Sequence, residues 1–515
     1  MNRIRRTDYV LLAILSIPLF FNSLNIYFVS DNIAHIQKAW DNLFNFDYYY
    51  YRPVSVLTLV IDRWIWGASA AGYHLSNWLI HLFNVFLVYR ITYLFKPSRE
   101  IAFAAALLFL IHPIHSLNIF WISGRTDMVC SFFFLLSFYQ ALRWLRGKGK
   151  QGRYWSLIFF LVSLMAKEMA LGLPFILLGL LWYEKQWNRK NILGLILPYF
   201  VIIVLVFLFR FNAGNRELLA NEVHNITNPL VLLKNLAVYL GLLAVPGGHV
   251  AIADFLGANQ LLFSFLAIGG LAGTGFILFK YRVSRRVQFW TLFTILSLLP
   301  VLRLVMRWYL YIPSVGFVIA VTLWIYELGK TRWIARSVIA SIFIVFSFFL
   351  IQQQNRWITA GELAKDLSSR YVQEIQERQI TRAAFLTVPA EVKEIPVFMY
   401  GFQEFLSFRV DEKMDNTRLP DIVVLSKISL SESSELQKLE ISKIDSLTYE
   451  LSLLNTHSQF IFPEHSGFIS GRERPKKGMI IQTEIARTEI VELDLLGRTK
   501  RIRIRLLDPV IQLIH

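Results

Sequence analysis

The sequence predicts a mainly α-helical, polytopic membrane protein of about eleven transmembrane helices, followed by a small β-rich domain. Three observations carry that expectation. Hydrophobic residues make up 55% of the chain and aromatic ones 15%, against only 17% charged, which is too apolar for a soluble enzyme of 515 residues. The apolar residues gather into runs of roughly 15 to 20, the length that crosses a bilayer as a helix. After Ile351 the composition turns polar, and short alternating runs replace the long apolar ones.

In chain order, spans are expected near residues 8–28, 73–94, 100–116, 127–144, 154–166, 169–183, 192–210, 260–279, 288–302, 308–326 and 337–351. Met1 to Arg6 followed by an apolar run looks like the start of a signal peptide. The run is about twenty residues long and has no small-residue cleavage site near Asn22, so it is expected to stay attached. Basic clusters set the orientation: Arg3, Arg5 and Arg6; Lys96 and Arg99; Arg143 to Arg153; Lys185 to Lys190; Lys280 to Arg286; and Lys330 to Arg336. All fall on one side, which the positive-inside rule makes cytoplasmic. The net charge of +17 is thereby used up in topology, and nucleic acid is not an expected partner.

Two apolar pieces are read as interfacial helices on the outer face. Pro53 to Trp66 is too short to cross comfortably and carries Asp62 and Arg63. Asn228 to Val245, if it crossed, would force Lys280 to Arg286 outside. The spans at 154–166 and 169–183 are short, which draws Lys167 and Glu168 below the membrane surface. Beyond Ile351, Gln352 to Gln379 reads as a polar helix, and strands are expected at 396–400, 421–425 and 500–506. The expected domains are 1–351 in the membrane and 352–515 outside the cytoplasm. The single cysteine, Cys130, lies in a span and excludes an intrachain disulfide.

The chemistry is sought at the outer membrane surface, where ionisable groups are costly and therefore suspicious. In order they are Asp31, His35, Arg52, His74, His112, His115, Arg125, Asp127, Lys167, Glu168, His224, His249, Asp254, Arg303 and Arg307. Asp31 leads, because it follows the first apolar run directly and has His35 four residues on, on the same face if the segment is helical. Each also has a plain structural role open to it. Asp31 suits a helix cap, Lys167 and Glu168 a neutralising pair, and Arg307 before Trp308 and Tyr309 an interfacial anchor. Asp31 with His35, and His112 with His115, each offer two ligands to a divalent metal; no third is in readable spacing. Phosphate-cradling loops, dinucleotide fingerprints and serine-nucleophile motifs are missing from the sequence, which speaks against nucleotide-driven and hydrolytic chemistry.

An ordered set of motifs does carry a resemblance. Tyr51-Arg52-Pro53, Gly72-Tyr73-His74-Leu75-Ser76-Asn77 with His81, and His112-Pro113-Ile114-His115 are followed by Trp121-Ile122-Ser123-Gly124-Arg125-Thr126-Asp127. Ala166-Lys167-Glu168 with Pro174, Asn228-Pro229 with Tyr239-Leu240 and Pro246, and Arg307-Trp308-Tyr309-Leu310-Tyr311-Ile312-Pro313-Ser314 with Gly316 continue it. Over roughly residues 8–350 the chain resembles the transmembrane and tetratricopeptide-repeat O-mannosyltransferases, within the GT-C superfamily of polyprenyl-phosphate-sugar glycosyltransferases. The resemblance implies a GT-C-like fold, an active site on the extracytoplasmic face, and an acidic motif in the first outer loop, at Asp31. It also points to a polyprenyl-phosphate donor of a mannose-like hexose and a protein or glycan acceptor; a multi-pass protein of a bacterial inner (plasma) membrane is expected. Two departures stand out: Asp31 is followed by Asn32 where the family often has a second acid, and no tetratricopeptide repeat is visible after the last span.

On that reading Asp31 deprotonates an acceptor hydroxyl and Arg307, with Lys167 or Arg303, neutralises the departing phosphate. His35, Arg52, His74, His112, His115, Arg125, Asp127 and Glu168 support or orient. A transporter or flippase of lipid-linked sugars is the rival from another class; such folds usually show internal repeats, and none is visible here. A lipid-linked-oligosaccharide ligase or polymerase shares the membrane setting, and the motif order favours single-sugar transfer over it.

Overall fold

The structure, a computed structural model, describes residues 5–45, 51–212, 228–245, 283–329, 331–380, 382–412, 419–453, 457–461, 475–483, 485–494, 497–507 and 512–514. The expected span at 260–279, together with Tyr48 to Tyr50, His224, His249 and Asp254, lies outside the described residues. The helices are α1 (Arg6–Phe20), α2 (Asn32–Gln37), α3 (Ala39–Phe44), α4 (Pro53–Trp66), α5 (Ala70–Phe95) and α6 (Arg99–Ile111). Then come α7 (Ser116–Phe120), α8 (Arg125–Leu145), α9 (Gly152–Ala166), α10 (Leu173–Tyr183), α11 (Arg189–Asn191) and α12 (Leu197–Asn212). The last five are α13 (Pro229–Ala244), α14 (Arg285–Leu298), α15 (Tyr311–Leu328), α16 (Arg332–Glu377) and α17 (Phe402–Glu412).

The chain is an integral membrane protein. Among the described residues six helices are long and apolar enough to cross a bilayer, or seven if the bent pair Arg99–Ile111 and Pro113–Phe120 counts as one span. The bend of 43° has a local cause: Pro113 has no N–H to give and its ring clashes with the preceding turn, so α6 ends at Ile111. Helix starts follow their residues too. The Ser98 hydroxyl accepts from Ile101 N–H at α6, and the Asn228 side chain accepts from Leu230 N–H at 3.0 Å where Pro229 opens α13. Helix α16 runs 46 residues without a proline, about 70 Å at 1.5 Å per residue. The span expected at 337–351 and the polar helix expected after it are therefore one element.

Two compact units result, the first comprising residues 1–24, 39–67 and 72–354 and the second 25–38, 68–71 and 355–515. In the first, α8 packs along α9 and α14 along α15. Helix α4 is amphipathic in an inverted sense: Leu57, Ile61, Trp64 and Ile65 are exposed while Ser55 and Asp62 are buried. That inversion suits an environment of lipid outside and paired polar groups within.

The second unit is α/β, with two sheets. In one, Arg382–Phe385 lies parallel between Asp421–Val424 and Gln512–Ile514. In the other, Thr499–Leu506 runs antiparallel to both Ala486–Leu493 and Thr448–Ser452, and Arg503 crosses to Glu450 at 2.9 Å. The strands expected at 421–425 and 500–506 are present, whereas 396–400 is strand only at Ile395–Pro396. Gly401, at φ +69°, turns the chain there into α17.

The early segment 25–38 is built into this second unit. Ser30 N–H donates to Val397 O at 2.6 Å, Arg409 donates to the Tyr27 hydroxyl at 3.0 Å, and Lys38 pairs with Glu404 at 2.8 Å. Phe28 meets Phe408 edge to face, and a Cβ on Gly361 would stand 2.7 Å from the Tyr27 nitrogen.

Candidate active site

Several of the membrane unit's charges gather around the junction of α9 and α10. Helices α9 and α10 do not join smoothly: at Lys167 the backbone is fully extended, and a 3-10 turn, Glu168–Gly172, follows. That break releases Lys167 and Glu168 from the helical face and aims them at different partners. The Lys167 ammonium donates to Asp127 Oδ2 at 2.7 Å and sits 5.0 Å over the Tyr309 ring. Asp127 comes from the first turn of α8, and both partners are buried. Glu168 receives two guanidiniums: Arg52 donates from Nη2 at 2.7 Å and Nε at 3.0 Å, and Arg210 from Nη1 at 2.9 Å. Arg210 also donates to Tyr51 O at 3.0 Å. Burial works against the charge of Arg52, and Glu168 outweighs it, so the guanidinium is held above its usual value. Asp127, Arg52, Glu168 and Tyr309 are near enough to act on one another electrostatically.

A second ion pair braces this region. Arg125 donates to Asp62 Oδ2 at 2.6 Å and to Tyr73 O at 3.1 Å, while Ser76 donates to Asp62 Oδ1 at 2.7 Å, so α4, α5 and α8 are tied through one carboxylate. Gly72 allows this closeness, since a Cβ there would stand 2.3 Å from the Trp66 ring.

The segment before Arg307 is pinned from α13. The Tyr239 hydroxyl donates to Leu304 O at 2.5 Å and accepts from Met306 N–H at 3.2 Å, and Asn235 donates to Leu302 O at 2.7 Å. Arg307 is half-buried at the head of the 3-10 turn Arg307–Leu310, and Arg303 is exposed in the turn before it.

The histidines fall in an aromatic interior. His81 Nε2–H donates to Leu110 O at 3.1 Å, leaving Nδ1 to accept from the Tyr311 hydroxyl at 2.6 Å. The Ser314 hydroxyl donates to Tyr311 O, so at 2.8 Å its oxygen accepts from His115 Nε2–H. His112 Nε2–H donates to Leu243 O at 3.1 Å. The ring proton positions follow from these acceptors. His112 and His115 therefore cross-link helices; His74 is buried in α5.

Asp31 and His35 belong to the second unit. Asp31 is the N-cap of α2, partly buried, with His35 Nδ1 at 3.5 Å from its Oδ2. Ser30, immediately before it, is held at φ +52°, a left-handed conformation that non-glycine residues adopt rarely and at a cost. Among the described residues no three His, Cys, Asp or Glu gather to hold a metal ion.

In the sequence Arg210 closes an apolar run and has the place of an interfacial anchor, Asp62 stands without its partner, and His81 and Tyr239 are motif members only. An arginine at the end of so apolar a helix was the available signal, since a buried one needs a partner.

Fold and site together define an integral membrane protein with a buried ion network built from the breaks between its helices. No protein-family model matches the chain. It is similar to curated protein O-mannosyl-transferases: 33% identical over 135 residues to TMTC4 of Homo sapiens, covering 24% of this chain and 18% of that protein. Similarity to Tmtc1 of Drosophila melanogaster is 27% over 196 residues, 34% of this chain and 23% of the relative. The chain thus spans about a fifth of the length of these relatives. Among solved structures it is similar to ArnT from Cupriavidus metallidurans bound to undecaprenyl phosphate, at TM-score 0.43 and 12% identity, over 85% of this chain and 96% of that one.

Proposed function

We propose that the protein is an integral-membrane glycosyltransferase that moves a sugar, a mannose-like hexose, from a polyprenyl-phosphate donor to an acceptor hydroxyl outside the cytoplasm. The observation that carries this reading is the network of Arg52, Arg210, Lys167, Glu168 and Asp127: cations held in place by one buried acid, Asp127, and one partly buried acid, Glu168, as electrostatic preorganisation requires. The similarity to O-mannosyl-transferases supports the donor and a protein or glycan acceptor.

In the reaction the acceptor oxygen bonds to the anomeric carbon as the bond from that carbon to the phosphate oxygen breaks. The lipid phosphate departs with the bonding pair, and the hydroxyl proton passes to Asp31. One displacement inverts the anomeric centre. Arg307, Lys167 and Arg303 hold the phosphate; His35, Arg52, His74, His112, His115, Arg125, Asp127 and Glu168 orient. The left-handed Ser30 supports a functional reading of Asp31, because strained backbone is retained where surrounding contacts enforce it. A divalent metal is not required by this scheme.

The deciding experiment uses proteoliposomes loaded with a polyprenyl-phosphate mannose labelled in the sugar. Transfer to a hydroxyl acceptor with release of lipid phosphate is expected; movement of intact donor across the bilayer without cleavage would make the protein a transporter. Arg307→Lys should weaken donor use more than acceptor use, since an ammonium cannot meet two phosphate oxygens in one plane.

The proposed topology has eleven spans, a cytoplasmic N-terminus and residues 352–515 outside. Reporter fusions should find Lys148 inside and Gly248 outside. Both on one side would make Asn228 to Val245 a span and change the count.

A further inference from the structure

At the other end of the membrane unit, α1, α6 and α16, with Tyr326 of α15, line an open groove of about 520 Å³. The two ends of α6, Arg99 here and Ile111 toward the ion network, stand about 18 Å apart at 1.5 Å per residue, so this groove is separate from the candidate active site. Its wall changes character the same way on every helix. It runs from Asp8 to Leu11 on α1, from Arg99 to Leu107 on α6, and from Arg336 to Phe343 on α16. The result is a charged mouth over an apolar slot about two helical turns deep.

The mouth is built. Asp8 is buried and accepts from Arg99 and from the Tyr89 hydroxyl; Glu100 accepts from Arg336 at 2.7 Å and from the Tyr326 hydroxyl at 3.1 Å. Arg336 bonds Glu100 through Nε, lines the groove and is 62% exposed. An adjoining cavity of about 520 Å³ shares Arg99, Glu100 and Tyr326 and adds Lys96, Arg332 and Glu327. Four cations thus meet three carboxylates around one mouth.

We propose that this groove binds one glycerophospholipid of the surrounding bilayer through a singly charged anionic phosphodiester. An excess of one positive charge matches one negative charge. The interspersed carboxylates disfavour the denser charge of a terminal phosphate monoester such as the lipid carrier bears. The guanidiniums of Arg336 and Arg99 take the phosphate, and one acyl chain follows Phe103 and Leu107 down α6.

The test is native mass spectrometry of the full-length protein, delipidated in detergent and offered phosphatidylglycerol, phosphatidylcholine or undecaprenyl phosphate. One phosphatidylglycerol per chain is expected, retained at least fivefold better than phosphatidylcholine, with Arg336→Ala lowering retention about fivefold, the worth of one basic residue at an anionic surface. Ala340→Trp, placed on an exposed position of the slot, should fold normally and abolish retention. Equal retention by Ala340→Trp, no preference for the anionic head, or displacement of phosphatidylglycerol by equimolar undecaprenyl phosphate overturns the proposal.

Discussion

Asp31→Asn should lower single-turnover sugar transfer by roughly two to four orders of magnitude, the usual worth of a general base, while donor binding stays within about twofold of the unmodified protein. The substitution preserves size and shape at the N-cap position of α2, where an amide is as well tolerated as a carboxylate. What it removes is the basic lone pair that accepts the hydroxyl proton. His35, 3.5 Å from the Asp31 carboxylate, is placed to orient it, and His35→Gln should cost far less. Both variants are to be measured in one detergent preparation, as donor binding and as transfer. Normal turnover in Asp31→Asn would move the base elsewhere and leave the ion network of the membrane unit unaffected as a finding.

Asp62→Asn should destabilise the membrane unit by about 3–5 kcal/mol, the cost of leaving a buried charge without its counter-ion. Arg125 is fully buried and Asp62 nearly so, at 0% and 7% exposure. The guanidinium has no route to water once the carboxylate is gone, and the amide leaves one acceptor oxygen where Arg125 and Ser76 each had their own. Thermal unfolding in detergent reads this directly. The double replacement Asp62→Leu with Arg125→Met removes both charges and should recover most of the loss, because apolar pairs of similar volume often match a buried ion pair in stability. A single variant as stable as the parent would show that water reaches Arg125.

Much of this architecture is legible in the sequence, for an identifiable reason. Helices that cross lipid must be long and apolar, so their positions survive in composition alone. Pro53 and Trp66 bound α4 as the expected interfacial helix does, and Pro113 marks the bend after α6. The strand Thr499–Leu506 is visible from its alternation of basic and β-branched residues. An apolar run names burial rather than extension: Val397 and Phe398 are buried and still donate to Ala390 O and Pro389 O, but the chain bends there toward Gly401 and the strand ends at Pro396. At the candidate site the unusual residues could be named, since a charge in an apolar run stands out, but not their pairings. Arg52 finds Glu168 across 116 positions and Asp62 finds Arg125 across 63, and nothing local encodes such choices. Placement of the Asp31 segment in the second unit was illegible for the same reason.

That placement has a consequence in time. Tyr27 and its partner Arg409 are 382 positions apart, and a ribosome adding about 5–20 residues per second needs roughly twenty seconds to over a minute to travel that distance. Segment 25–38 is made at the start of that interval, and Gly361, Val397, Glu404 and Arg409 only toward its end. The loop bearing Asp31 is thus synthesised well before the residues that fix its final shape. A nascent chain stalled before Gly361 should expose it to protease, and one released after Glu412 should not.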